Sequence, residues 1–155
     1  MNPSLVGSEM CIRDSNGSIV QSGPPAELYN NPKNQYVTRF FGETNVFNGD
    51  VHNSSIKTPV GQIKVDQKYE NKNVTVHIRP QGIKLSEQPT PVNGTKGTVM
   101  ASKLMGAFSF IHLSVLDNKN EVVHVHSHMP PEFNPKQSSA VEISIDEKHT
   151  FVFEN

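Results

Sequence analysis

Short runs in which apolar and polar residues alternate dominate the chain from Val46 onward, and each run stops at a turn signal. The clearest run is Val74 to Arg79, where valine and isoleucine alternate with threonine, histidine and arginine until Pro80 ends it. Alternation with a period of two places the apolar side chains on one face of a strand, and proline cannot donate to a strand ladder. The pattern therefore predicts a chain that is mainly β.

The same reasoning predicts further strands, separated by short polar turns. They are Val46–Val51, Ser55–Lys57, Gln62–Val65, Ile83–Leu85, Thr95–Leu104, Phe108–Leu116, Glu121–His128, Ala140–Ile145 and Thr150–Phe153. Only 34% of the 155 residues are hydrophobic, and 11 prolines and 10 glycines suit many short strands better than long helices. About nine or ten short strands with frequent turns are typical of a barrel or a sandwich.

The N-terminal part of the chain predicts a short strand followed by two short helices. Ser18–Gln21 forms the strand, and Pro25 suits the first turn of a helix that ends before Pro32. The second helix is predicted over Gln35–Phe41, because Asn34 can cap it and its apolar residues share one face.

The first fifteen residues, Met1–Ser15, show no helical or strand period. The stretch SLVGSEMCIRDS within them resembles translated sequencing-adapter sequence, which occurs at the ends of metagenomic reading frames. We therefore expect an adapter-derived tail that is not part of the fold. The alternatives are a flexible native tail or a genuine strand that pairs with Ile19–Gln21.

An ordered set of residues extends through the two predicted helices. Its members are Gly17, Ile19, Gln21, Gly23, Pro25, Glu27, Leu28, Tyr29, Pro32, Phe40, Gly42 and Asn45. The set resembles the end of the nucleotide-binding domain in ATP-binding subunits of ABC importers. That family typically closes the domain with a G-x-I-x-Q-x-G-x-P-x-E-L/I-Y-x-x-P pattern, then a helix ending in F-x-G, then asparagine.

Three later segments extend the resemblance. VHIRPQGIKL contains Arg79 and Pro80 of the family's I-R-P-E-x-I-x-L segment, with Gln81 where glutamate is usual. The Gly106 bend between two strands and the closing pair AVEISIDEKHTFVF are also similar to the family. The glycine usual before the penultimate strand is missing near Gln137–Ser139.

The resemblance implies a division into residues 16–44, the end of a nucleotide-binding domain, and residues 45–155, a transport-associated OB-type domain. The implied fold is an OB-like β-barrel preceded by a short strand and two short helices. The implied role is non-catalytic: regulation and dimerisation of the ATP-binding subunit of an importer of the ferric iron, polyamine and sugar group. The implied partners are a second copy, the missing nucleotide-binding domain and, indirectly, the membrane permease, at the cytoplasmic face of the membrane.

Phosphate binding by such ATPases requires G-x-x-x-x-G-K-[ST], and the chain has no Gly-Lys-Ser or Gly-Lys-Thr. We therefore expect no catalytic residues and no cofactor in this chain, with ATP and Mg²⁺ bound by the parent subunit. The net charge is −1 and no basic stripe is present, so no nucleic-acid partner is expected. Cys11 is the single cysteine, which excludes an internal disulfide.

Histidines at alternate positions of VHVHSH raise the question of a metal site. The Asp117–Asn120 turn suggests a hairpin register that places His124 and His126 beside Leu113 and Ile111. A shift by one residue instead pairs the apolar residues of the two strands and gathers His112, His124 and His126 on the opposite face. Patterning favours the shifted register. We assign no metal, and these three histidines remain candidates for a metal or for a pH-dependent contact.

Other polar residues leave two alternatives open. Arg79 could form a structural salt bridge with Asp66, Glu70 or Glu87, or could contact a partner. The chain could also be a stand-alone OB-type module that binds a small anion or an oligonucleotide. That function would require a groove lined by lysines and by an aromatic stacking residue. The candidates are Lys64, Lys103 and Lys119, with Phe108 or Phe110.

Overall fold

A computed structural model describes residues 9–89 and 94–155 of the chain. These residues form two compact units: the first ends at Thr44, and the second is Asn45–Asn155. Most regular structure is β, which confirms the predicted fold class.

The first unit is a β-hairpin followed by two short helices. The strands are β1 (Met10–Arg13) and β2 (Ile19–Gly23), and the helices are α1 (Pro25–Asn30) and α2 (Gln35–Phe40). Asn34 caps α2, because its side-chain Oδ1 accepts a hydrogen bond of 3.0 Å from the Val37 amide.

Strand β1 corrects the expectation that residues 1–15 lie outside the fold. Met10–Arg13 pairs antiparallel with β2, and Ile12 is buried with Leu28 and Val37 in the core of this unit. Met10–Arg13 is therefore part of the fold and has the alternative structure, a strand paired with Ile19–Gln21. Residues 1–8 lie outside the described residues, and the adapter origin stays a prediction.

The second unit consists of ten short strands. They are β3 (Asn45–Asp50), β4 (Ser55–Thr58), β5 (Gly61–Lys64), β6 (Asn73–Ile78), β7 (Ile83–Ser86), β8 (Thr95–Leu104), β9 (Ser109–Leu116), β10 (Val122–Met129), β11 (Ala140–Ile145) and β12 (Thr150–Glu154). Single 3₁₀ turns occur at Gln67–Tyr69, Pro80–Gly82 and Glu147–His149. Every strand predicted from the alternating pattern is present, with ends that differ by a residue or two.

The strands form a five-stranded sheet in the order β10-β9-β8-β11-β7, a three-stranded sheet in the order β12-β6-β3, and the hairpin β4-β5. All paired neighbours are antiparallel. Together they curl into an OB-like half barrel. Its core is built from the inward positions of the strands, as the period-two pattern requires.

Strand β9 shows how this core is specified. Ile111, Leu113 and Val115 are buried, and the residues between them are half-exposed. Leu113 lies opposite Val99 of β8 and opposite Val125 of β10, and all three are fully buried. The apolar residues of three neighbouring strands therefore meet on one face, and the polar and aromatic residues of β9 and β10 lie on the other.

Candidate functional site

The register of β9 and β10 decides whether the predicted histidine cluster exists. Leu113 is opposite Val125 and His112 is opposite His126, which confirms the shifted register that the apolar pattern favours. A one-residue slip would have moved every one of these side chains to the other face. Burial of the apolar face therefore outweighs the register suggested by the turn.

The outer side of this hairpin carries two phenylalanines and four histidines, which we call the histidine face. Its members are Phe108, Phe110, His112, His124, His126 and His128. The Phe108 ring stacks on the His128 ring, with 4.1 Å between centroids. At the centre, the His112 ring lies 5.0 Å from both the His124 and His126 rings, and His112 Nε2 is 3.0 Å from His124 Nδ1.

The backbone explains why these rings approach so closely. The Asn45 side chain hydrogen-bonds both backbone groups of His126: the His126 N–H donates to Oδ1 at 2.8 Å, and Nδ2 donates to the His126 carbonyl at 2.9 Å. Those groups therefore point away from β9, so His126 and His112 are a non-hydrogen-bonded pair. In such pairs the Cα atoms are only about 4.5 Å apart and the side chains are closest.

Partial burial favours the neutral form of His112. Desolvation lowers the pKa of His112 below its ordinary value of 6.5, and the nearby His126 and His124 lower it further. Lys103 on β8 lies opposite Phe110, two pairs along from His112, and places a positive charge at the Phe110 end of the face. Neutral imidazole at neutral pH is the form that can bind a metal ion or share a hydrogen bond.

We expect acid to destabilise the folded chain through His112. Because its pKa is lowered on folding, the unfolded chain binds the proton first. The stabilisation is complete above about pH 6.5 and is lost as the pH falls through the lowered pKa. Urea unfolding between pH 8 and pH 5 should show this loss, and the His112→Gln variant should reduce it. A His52→Gln variant serves as control, and an unchanged pH slope in His112→Gln would contradict the prediction.

Arg79 has a structural position. It follows β6, it is buried, and its guanidinium lies over the Phe151 ring at 5.1 Å from the centroid. Two of the three acidic residues proposed as its partners accept hydrogen bonds from nearby backbone amides instead. Asp66 accepts a hydrogen bond from the Lys68 amide, and the Glu70 carboxylate accepts from the amides of residues 53 and 54 at 2.9 and 2.8 Å.

Glu70 stabilises a turn that the sequence analysis did not predict. Asn53 and Ser54 both have φ of 53°, in the left-handed region that non-glycine residues rarely adopt, and their amides point at the same carboxylate. The hydrogen bonds from Ser54 and then Asn53 lower the Glu70 pKa below its ordinary value of 4.5. The stabilisation of this turn is therefore present above about pH 4.5 and is lost as the pH falls through the lowered pKa.

NMR can test whether the Glu70 carboxylate accepts hydrogen bonds from the Asn53 and Ser54 amides. The amide shifts of Asn53 and Ser54 should titrate with a midpoint below 4.5 in the wild type. Glu70→Gln should remove the titration and speed hydrogen exchange of both amides, because the charged acceptor is lost. Glu87→Gln, on an exposed residue, is the matched control. Unchanged titration in Glu70→Gln would contradict the assignment.

Motif residues of the first unit also have structural positions. Gln21 connects β2 to the segment between the helices, since its side chain donates to the Asn31 carbonyl at 3.1 Å and accepts from the Lys33 amide at 2.8 Å. The Tyr29 ring packs edge-on against Phe41 at 5.5 Å. Glycines in the left-handed region occupy the remaining turns and bends: Gly17, Gly23, Gly42 and Gly106. Pro25 lies in the first turn of α1, and Glu27 adds an acidic residue there.

The lysines proposed for an anion or oligonucleotide groove lie apart. Lys103 is beside Phe110, but Lys119 is in the turn at the other end of the β9–β10 hairpin and Lys64 is in β5. A cavity of about 230 Å³ that no sequence pattern predicts is lined by apolar and neutral residues and by the acidic residue Glu147. This lining does not suit an anion.

The described part of the chain contains neither a three-residue metal-ligand group nor a membrane-spanning helix. Over residues 9–89 and 94–155, no three histidine, cysteine, aspartate or glutamate side chains already converge on a common metal position. Neither helix within those ranges has the length and apolar character needed to cross a membrane.

Comparison with known proteins identifies the second unit. The profile of the TOBE domain family matches residues 76–153. The Fe(3+) ions import ATP-binding protein FbpC of Streptomyces avermitilis is 31% identical over 102 residues, which are 66% of this chain and 29% of that protein. The spermidine/putrescine import ATP-binding protein PotA of Clostridioides difficile is 30% identical over 119 residues, 75% of this chain and 33% of that protein.

A third relative is named for a different substrate. The sulfate/thiosulfate import ATP-binding protein CysA of Bacillus cereus is 28% identical over 102 residues, 63% of this chain and 28% of that protein. The chain thus spans about a third of the length of the curated relatives that it matches. The family profile covers half of the chain, in the strands that form the half barrel, and the chain therefore belongs to the TOBE domain family.

Proposed function

We propose that the chain is a non-catalytic regulatory and dimerisation module of the ATP-binding subunit of an ABC importer. One observation carries the proposal. This chain, which contains a TOBE domain, matches about a third of the length of proteins named as import ATP-binding proteins. Those relatives import different solutes, so the match supports the transporter class and not one substrate.

The chain contributes contacts rather than chemistry in this proposal. Its sequence contains no Gly-Lys-Ser or Gly-Lys-Thr to hold a nucleotide phosphate. ATP and Mg²⁺ belong to the nucleotide-binding domain of the parent subunit. The partners are a second copy of the subunit, that domain and, through them, the permease at the cytoplasmic face of the membrane. Residues 16–44 supply the end of the nucleotide-binding domain.

Exposed apolar side chains at the hairpin ends support a contact role. Leu104 and Met105, beside the Gly106 bend between β8 and β9, are 61% and 50% exposed. Leu116 and Val122, at the turn between β9 and β10, are also exposed. Exposure of large apolar side chains to water is unfavourable, and the free energy falls when another protein surface covers them.

A domain exchange tests the proposed module. Residues 16–155 of this chain replace the aligned part of the PotA protein of Clostridium acetobutylicum, which aligns over 131 residues. The chimera should hydrolyse ATP and support spermidine uptake, while the isolated chain should hydrolyse none. A matched chimera with Leu104→Glu and Met105→Glu should lose regulation or assembly without loss of folding.

Sedimentation of the isolated chain tests dimerisation separately. The chain has a mass of 17.2 kDa, and a concentration-dependent species of twice that mass is expected. Nucleotide hydrolysis by the isolated chain would overturn the non-catalytic role. A chain that stays monomeric at high micromolar concentration would overturn self-association through this unit.

A further inference from the structure

We propose that His112 and His124 form a two-imidazole chelate on the outer surface of the β9–β10 hairpin for a late first-row divalent cation such as Zn²⁺, Ni²⁺ or Cu²⁺. This site is independent of the importer function proposed above. It rests on the position of two ring nitrogens and on the strand geometry that holds them there.

The distance between the two nitrogens fits shared coordination. His112 Nε2 and His124 Nδ1 are 3.0 Å apart. Two imidazole nitrogens, each bound to Zn²⁺ at about 2.0–2.1 Å with a tetrahedral angle, are separated by roughly 3.3 Å. The backbone therefore already brings the two ligand atoms to the spacing that a metal ion requires.

Binding requires changes only in the rings. In the hydrogen-bonded form, one of the two nitrogens carries the proton between them. That ring must take its other tautomer, so that both nitrogens present lone pairs, and both rings must turn until the lone pairs converge. His124 is exposed, so its ring can turn without disturbing the core. The tautomer change moves one proton from the bridging nitrogen to the other nitrogen of the same ring by exchange with water, so the charge of the ring is unchanged, and water completes the coordination sphere.

The hairpin fixes the relative position of the two histidines. His112 lies between buried Ile111 and Leu113, and the valines on either side of His124 pair with Leu113 and Val115. The Asn45 side chain fastens the neighbouring His126 backbone to β3. A chelate on such a rigid pair loses little conformational entropy when the metal binds.

The chemistry of the site selects the class of cation. Imidazole suits Zn²⁺, Ni²⁺ and Cu²⁺, whereas Mg²⁺ and Ca²⁺ require oxygen ligands. Both ligand nitrogens must be deprotonated before they can bind a cation, so occupancy should increase with pH. His126 lies beside the pair, with its ring centroid 5.0 Å from that of His112, and is the nearest further imidazole.

Titration of the full chain, prepared without a polyhistidine tag, tests the site. Calorimetry with ZnCl₂ and NiCl₂ at pH 7.5 should show one equivalent bound, and binding should be lost at pH 5. The Cu²⁺ form should show nitrogen hyperfine structure from two imidazoles in its electron paramagnetic resonance spectrum. Mg²⁺ should not compete.

Single variants assign the ligands. His112→Ala and His124→Ala should each weaken binding about tenfold or more, since even outer-shell partners of metal ligands are worth about 10–100-fold. His52→Ala, on an exposed histidine outside the face, should bind as the wild type does. The absence of binding by the wild type, or equal binding by His124→Ala, would overturn the proposal. A loss in His126→Ala that exceeds the loss in His124→Ala would show that the assigned pair is wrong.

Discussion

Replacing Leu113 with alanine should lower the free energy of unfolding by about 2–5 kcal/mol, as is usual for a buried leucine. Leu113 is fully buried in β9, the second strand of the five-stranded sheet, opposite Val99 of β8 and Val125 of β10. Truncation removes apolar surface from the core and leaves a cavity, because the two flanking strands are hydrogen-bonded in place and cannot collapse into it. Urea unfolding followed by circular dichroism measures the change.

The same strand provides the control. Leu116, three residues further along β9, is 58% exposed, so Leu116→Ala should change the free energy of unfolding by less than about 0.5 kcal/mol. Similar costs for the two variants would contradict the assignment of β9 faces and, with it, the register that creates the histidine face.

Replacing Asn45 with alanine should lower the free energy of unfolding by about 2–4 kcal/mol, because each buried backbone group left unsatisfied costs about 1–3 kcal/mol. Asn45 is only 8% exposed, and its side chain pairs with the His126 N–H, the His126 carbonyl and, at 3.3 Å, the Ile78 carbonyl. The variant would also free β10 at His126. Hydrogen exchange of the His126 amide should therefore increase in Asn45→Ala.

Two further variants sharpen this test. Asn45→Asp keeps an acceptor for the His126 N–H but places an oxygen against two carbonyls, so it should also destabilise the chain. Asn134 is exposed, and its Oδ1 accepts a hydrogen bond from Ser102 Oγ. Asn134→Ala should therefore have little effect on the free energy of unfolding. If Asn45→Asp were as stable as the wild type, the hydrogen bonds that Nδ2 donates to the two carbonyls would not contribute to stability as proposed.

The sequence predicts those parts of the fold that one buried face determines. The alternation along β6 and β9 identifies strands, although β6 is buried on both faces, with Thr75 and His77 buried as well as Val74 and Val76. The apolar residues of β9 and β10 select the register that gathers His112 and His126. The resemblance to importer ATP-binding subunits identifies Asn45 and Gln21 as motif positions. The strands and the register are predictable because burial of one face of a strand requires apolar residues at every second position, and this period is visible in the sequence.

The features that the sequence misses depend on single polar contacts between distant residues. The pairing of Asn45 with His126 joins residues 81 positions apart, and Glu70 holds the amides of residues 53 and 54. Such contacts leave no period. Ser138 is a related case, since its φ of 69° places a serine in the left-handed region within the segment Gln137–Ser139, where the resemblance leads one to expect a glycine. Strand β1 was not predicted, because residues 1–15 show no strand period and their resemblance to adapter sequence removed them from the expected fold.

The Asn45 contact also affects how the protein behaves at high concentration. β10 is the outermost strand of the five-stranded sheet, and an outermost strand with unpaired backbone groups can recruit a strand from another molecule. The carboxamide occupies two of those groups at His126, at the middle of the strand. An incoming strand would have to displace this carboxamide before it could form a continuous ladder, so we expect Asn45 to disfavour strand pairing between copies at this edge.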